Sequence, residues 1–244
     1  MTPFLTAFDT SHLAGEFRQR WNDAAFEHLR ILGEIGYEVS VSRDLNDLVS
    51  FWQDHDGQAN LFEAPNFNPH YWPSASERDT LLCFLEKDGR QVGSCGYRLI
   101  ELYDPRHCRP LTLKEAFDEK FYYYEQPEMG PANERCELRP HSVQWIYDCT
   151  ICVAGALWLQ SDIRGRDIFK SFGRLSRILA VTLREWNYSY MVVVFCPANR
   201  QIAMEHFLFT EFLPHSMTFR GEPYEVAWSN RADAIRLALE RTQP

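Results

Sequence analysis

Between Asp148 and Phe212 the spacing of apolar positions changes from a run to a helical period and back to a run. Ile151 to Gln160 is a continuous apolar stretch rich in β-formers, which predicts a buried strand. A tight turn follows at Arg164-Gly165-Arg166. Then Ile168, Phe172, Leu175, Leu179 and Leu183 recur at helical spacing, predicting a helix up to Trp186 that Asn187 ends. Tyr190 to Cys196 predicts a second buried strand, closed by Pro197. Strand, helix and strand in this order predict a βαβ unit with parallel strands and a right-handed crossover. Ligands of such units sit beyond the carboxyl ends of the strands, at the helix N-terminus. Arg164, Gly165 and Arg166 occupy that corner, so an anion, a phosphate above all, is expected there.

Upstream, His12 to Leu32 reads as an amphipathic helix, with Phe17, Trp21, Ala24, Ala25, His28, Leu29 and Leu32 on its apolar stripe and Gly33 and Gly36 ending it. Its plain reading is an extra helix, residues 1–36, packed on the main domain of 37–244. A homodimer contact is the sharper one. Tyr37 to Ser42 alternates like a strand. Asp44 or Asn46 can cap a helix holding Leu45, Leu48, Val49 and Trp52. Asn60 to Ser76 is irregular, with three prolines and Phe62, Phe67, Tyr71 and Trp72, as expected of a segment that covers something. Thr80 to Glu86 and Gln91 to Leu102 read as a hairpin turned at Asp88-Gly89. Residues 103–147 form an aromatic-rich insertion with one short helix, Leu113 to Tyr124, and several prolines. After the βαβ unit come a helix over Arg200 to Thr210, strands at Thr218 to Arg220 and Tyr224 to Trp228, and a terminal helix over Arg231 to Arg241.

Composition narrows the classes. With 45% hydrophobic residues the chain has material for a packed core, and a net charge of −9 argues against nonspecific nucleic-acid binding. The N-terminus has no signal-peptide pattern, and no apolar run approaches the roughly 20 residues of a membrane span. A soluble, cytoplasmic protein is expected. The seven cysteines lack framework spacing and read as reduced thiols. Cys149 and Cys152 have CxxC spacing, but residues three apart on a strand face opposite sides, so no metal site is expected. Against the acidic whole, residues 164–184 carry six basic residues and one acidic one. Arg166, Lys170, Arg174 and Arg177 share one helix face by spacing. That face reads either as solvated or as a surface for phosphates.

The order strand, helix, hairpin, insertion, strand, RG turn, helix, strand, Asn turn, helix, strand resembles the GCN5-related N-acetyltransferase (GNAT) superfamily. FLEKDGRQVGSCGYRLI matches its hairpin. Arg164, Gly165, Arg166, Asp167, Ile168 and Phe169 align with its Arg/Gln-x-x-Gly-x-Gly/Ala loop, with Asp167 and Phe169 standing where small residues are usual. Asn199, Ala203 and Phe212 match its Asn turn and Tyr-x-x-x-Gly-Phe helix, with Phe207 in place of the tyrosine and Glu211 in place of the glycine. The resemblance covers roughly residues 37–228. It implies an α+β fold, a three-layer α/β/α arrangement around a mixed, mostly antiparallel sheet with a central parallel βαβ unit.

It also implies acyl-CoA, acetyl-CoA or longer, as co-substrate without a metal. The loop residues Arg164, Gly165, Arg166, Asp167 and Ile168, with Lys170 and Asn199, would hold its phosphates, and a main-chain amide near Leu159 would serve the oxyanion. The reaction implied is direct attack of a primary amine, from a small molecule or a peptide, on the thioester. It needs a base, for which Glu101, Asp148 and His141 are candidates, and optionally an acid, for which His206 neighbours the vacant tyrosine position. The plain reading of each is an ordinary polar or packed residue. Cys196 lies near the expected thioester but has no identifiable His/Asp partner and reads as a core thiol. Two other functions stay open: a catalytically silent binding protein of this fold, and an acyltransferase using acyl carrier protein as donor.

Overall fold

The structure, a computed structural model, describes residues 1–55, 67–69, 76–104, 107–115, 136–138, 146–164, 166–219 and 222–239. β1 (Thr2–Pro3) and a short helix α1 (Phe4–Ala7) precede α2 (Gly15–Glu34), β2 (Tyr37–Ser42) and α3 (Leu45–Asp54). Next come β3 (Thr80–Lys87), β4 (Arg90–Glu101), the two-residue strands β5 (Tyr103–Asp104) and β6 (Arg109–Pro110), α4 (Leu113–Glu115) and β7 (Cys136–Leu138). The last part holds β8 (Thr150–Leu159), α5 (Arg166–Thr182), β9 (Tyr190–Phe195), β10 (Glu211–Phe219), β11 (Glu222–Asn230) and α6 (Arg231–Leu239).

Among the described residues, nine strands form one sheet in the order β1-β2-β3-β4-β8-β9-β11-β10-β7. Every pair in it is antiparallel except the central pair, β8 with β9, which is parallel. Strand alternation then sorts side chains to two faces. Leu81, Cys83 and Leu85 of β3 join the cluster under α2, α5 and α6, while Leu82 and Phe84 join Leu45, Leu48, Phe51 and Trp52 of α3. The fold is therefore α+β, three-layered, with a mixed and mostly antiparallel sheet.

Local chemistry explains the elements that the patterns predict. Asp88 at φ 51° and Gly89 at φ 73° make the tight hairpin turn, whose positive φ values suit Asp-Gly. The Asp44 side chain accepts from the Asn46 N–H at 2.9 Å and so caps α3. Thr112 and Glu115 cap α4 reciprocally, with Glu115 N–H to Thr112 Oγ1 at 3.1 Å and Thr112 N–H to Glu115 Oε2 at 2.8 Å. The helix predicted over Leu113 to Tyr124 lies outside the described residues beyond this first turn.

Three expectations are corrected. α5 ends at Thr182 rather than Trp186. The helix predicted over Arg200 to Thr210 is a 3-10 turn, Pro197–Asn199, and then a π-helical turn, Ile202–His206, closed by Phe207 N–H to Ile202 O at 3.1 Å. The wider turn lets Ala203, Phe207 and Phe209 all reach the core, and Glu211 and Phe212 belong to β10 instead. The late strands are also longer than predicted, because β10 and β11 pair with each other from Glu211↔Trp228 to Phe219↔Glu222.

The basic face of α5 is not solvated along its length. α2 lies on it: Trp21, Ala25 and Leu32 share a buried cluster with Phe172 and Leu175. Arg177 is only 1% exposed, its guanidinium 4.9 Å from the Phe209 ring, and its three nitrogens have no hydrogen-bond partner among the described residues. Lys170 and Arg174 are half-buried. His28 of α2 faces their charges, and burial together with Arg174 pushes its pKa down to about 4.

Candidate functional site

The parallel pairing of β8 and β9 runs from Ile151↔Tyr190 to Ala154↔Val193 and stops, although β8 continues to Leu159 and β9 to Phe195. A bulge on β8 marks the parting. On β4, Gly96 pairs with Gly155 and Ser94 with Trp158, so one residue on β4 is opposed by two on β8 between these pairs. Ala156 takes φ 51°, and Ser94 Oγ–H donates to its carbonyl at 2.8 Å. The extra residue reverses the alternation of side chains. Cys152 and Ala154 face α5 before it; Leu157 and Leu159 face α5 after it, and Ala156 and Trp158 turn to the α3 face.

Main-chain groups alternate as well. Gln160 N–H donates to Val92 O of the β4 side at 2.9 Å, so Leu159, and with it Leu157, direct their main-chain groups toward the parted side. Leu159 O there accepts Arg164 Nε–H at 2.9 Å. The amide predicted near Leu159 thus lies beside a gap in the sheet, and an arginine of the following turn spans part of that gap.

Arg164 is exposed, and α5 begins two residues later. Gly165 and the Arg166 side chain lie outside the described residues. Asp167 is exposed in the first turn of α5, where its charge suits the positive end of the helix. Ile168 is packed against the core and Lys170 is half-buried. Beyond β9, Asn199 is exposed and its N–H donates to Cys196 O at 2.9 Å. Next to it an open depression of about 520 Å³ is lined by Pro197, Ala198, Arg200, Gln201 and Met204. Arg200 forks onto the buried Glu225, Nε to Oε2 at 2.9 Å and Nη2 to Oε1, and lies 4.7 Å over the Phe212 ring. That buried carboxylate holds the rim of the depression in one orientation.

Phe207, in the place of the family's tyrosine, is buried against α5. A Cβ on Gly173 would stand 2.8 Å from its ring. Phe169 meets it edge-on at 6.1 Å. The two departures from the family pattern are therefore one packing unit between α5 and the π turn. His206 has its backbone on that turn, and its side chain lies outside the described residues, as does His141. Glu101 and Asp148 are exposed at the other end of the sheet, where Glu101 pairs with Thr150 and Asp148 takes φ 46°. Glu101 is six residues along β4 from Cys95 at the bulge, and Asp148 is eight residues along the chain from Ala156, a separation of roughly 20–25 Å, so the structure does not bring these candidate bases to the parted strands. Cys196 is half-buried at the end of β9.

The structure adds a group that the sequence reading passed over. His55 caps the C-terminal end of α3, with Nδ1 2.7 Å from Phe51 O. Its ring lies tilted 4.4 Å from Phe51 and meets Trp158 edge-on at 4.8 Å, and the latter two rings meet at 5.4 Å. The sequence signal for His55 was only its place one residue past a helix. Trp158 reaches it because of the bulge, which the apolar run concealed.

No family model matches the chain, and no curated protein matches it. Among solved structures it is similar to AAC(6')-Ib in complex with parmomycin and acetyl-CoA, at 11% identity and TM-score 0.43, covering 86% of this chain and 98% of that one. It is similar to ribosomal-protein-S5-alanine acetyltransferase from Vibrio fischeri, at 11% identity and TM-score 0.42, covering 81% and 94%. A third is Arabidopsis thaliana NAA60 with a bisubstrate analogue, at 10% identity and TM-score 0.39, covering 78% and 95%. Likeness at this level assigns no activity. The mixed, mostly antiparallel sheet and its central parallel pair are what the sequence resemblance implies for the fold. Among the described residues no helix is long and apolar enough to cross a membrane, and no cluster of three or more His, Cys, Asp or Glu is placed to hold a metal ion.

Proposed function

We propose that the chain moves an acyl group from acyl-CoA, acetyl-CoA or longer, to a primary amine of a small molecule or peptide by direct attack. The observation that carries this reading is the parting of β8 from β9 at the Ala156 bulge. A thioester laid along the open side of β8 meets the main-chain N–H groups of Leu157 and Leu159. Such fixed donors stabilise the oxyanion that forms as the amine attacks. The CoA phosphates fit the first turn of α5 and the exposed Arg164, where N–H groups and a cation converge. The pantetheine arm fits the depression along Pro197 and Met204. Phe207 has no proton to give, so the departing thiolate, a fairly good leaving group, takes its proton from water.

Native mass spectrometry of the full chain with acetyl-CoA and with longer acyl-CoA is expected to show one donor bound per chain. Adding a panel of primary amines is expected to release free thiol. If no donor of any length binds, the reading is wrong. The buried Phe207 favours one competitor, a ligand-binding protein of this fold without turnover. That competitor predicts a bound donor and no thiol release with any amine. A carrier-protein donor loses much of its support, since Arg174 and Arg177 are covered by α2 or buried.

A further inference from the structure

A direct attack needs a base, and the structure separates Glu101 and Asp148 from the parted strands. We propose that His55 is that base. The inference rests on the acyl-transfer reading and names a residue for it.

Three observations place the imidazole. First, Nδ1 lies 2.7 Å from Phe51 O. A carbonyl only accepts, so Nδ1 carries the proton and Nε2 keeps its lone pair. Nε2 has no hydrogen-bond partner among the described residues, and the ring is half-buried. Second, the ring is fixed: Phe51 and Trp158 pack against it at 4.4 and 4.8 Å, so the lone pair has a set direction. Third, Trp158 is flanked along β8 by Leu157 and Leu159, the residues whose main-chain groups face the gap. The bulge that turns those amides to the gap also turns Trp158 toward His55. An oxyanion donor and a base thus flank one short piece of strand.

His55 Nε2 takes one proton from the acceptor's ammonium, leaving the amine lone pair. That pair forms the C–N bond to the thioester carbonyl, the C–S bond breaks, and the sulfur leaves with its electron pair. The nitrogen loses a second proton as the amide forms, the thiolate gains one from water, and His55 returns its proton to solvent. Per turnover one ammonium and one thioester give one amide, one thiol and one proton. Trp158 and Phe51 supply an apolar wall beside the base, which suits an acceptor whose amine is carried on an apolar or aromatic body.

The test has a structural arm and a kinetic arm. In the wild-type chain, 15N shifts of the neutral imidazole are expected to show His55 as the Nδ1–H tautomer with Nε2 bare. The Nε2–H tautomer would overturn the proposal whether or not a donor binds. In the kinetic arm, His55→Asn keeps an N–H for the Phe51 carbonyl but has no base. With acetyl-CoA and arylalkyl primary amines it is expected to bind donor unchanged by calorimetry. Its kcat/KM should fall on the order of a hundredfold and lose the acid limb of the wild-type pH profile. Wild-type rates with an intact acid limb would also overturn it. Failure of the acyl-transfer reading looks different, because then neither protein releases thiol with any amine, whether or not a donor binds.

Discussion

Gly96 and Gly155 lie opposite each other on β4 and β8, and the Phe67 ring lies over both. A Cβ built on Gly155 would stand 2.8 Å from that ring, and one on Gly96 2.6 Å. Phe67 is 1% exposed and has no room to retreat. Gly155→Ala is therefore expected to destabilise the fold by about 1–3 kcal/mol, read as a lower urea midpoint with an unchanged slope. Combining it with Phe67→Leu should recover part of the loss, and an additive double variant would show that the ring is not the cause. The sequence displayed these glycines and marked Phe67 as part of a covering segment, but not their contact. The same holds for Phe169 and Phe207: both stood out as departures from a family pattern, while their mutual packing over Gly173 needed the third dimension. His55 was missed for a different reason. A histidine beyond a helix end carries no periodic signal, and its meaning comes from Trp158, which is distant in sequence.

At the scale of elements, the hairpin, β2, the α3 cap and the parallel pair were legible because each rests on short-range chemistry: an Asp-Gly turn, an Asp cap, runs of β-formers. The bulge in β8 was not, since Gly155, Ala156 and Leu157 continue the same apolar run on both sides of it. The π turn was also hidden. Its apolar positions suit a helix, and only the demand that Ala203, Phe207 and Phe209 all enter the core widens it. The basic face of α5 was legible as a face, but its cover was not, because α2 arrives from more than a hundred residues upstream. That packing has a measurable consequence through His28. Its folded pKa of about 4 lies below the ordinary histidine value of 6.5, so the unfolded chain binds the proton more readily. Stability is fully present above pH 6.5 and is lost as pH falls toward 4, by on the order of 3 kcal/mol in all. Lys170, Arg174 and Glu27 are the charges that act on it. Urea melts between pH 7 and 4 should show this slope, and His28→Leu should flatten it. An unchanged slope in the variant would assign the acid sensitivity elsewhere.

For the whole molecule, one sheet holds both halves of the candidate chemistry. Its central strand, β8, is zipped to β9 for four residue pairs and then released. On the released side stand main-chain groups and Arg164; on the α3 face of the same stretch stand Trp158 and His55. The order of elements was enough to suggest this architecture, because strand runs and turns set connectivity. Which ends converge was not, and so Glu101 and Asp148 were candidates although they sit at the far end of β4 and β8. The parted strands are expected to receive an acyl-CoA. Calorimetric titration of acetyl-CoA into the wild-type chain and into Arg164→Ala tests it most directly. A saturable one-to-one isotherm, weakened about tenfold by the loss of a charged contact, is the expected result. A flat titration with acetyl-CoA and with longer acyl-CoA would contradict it.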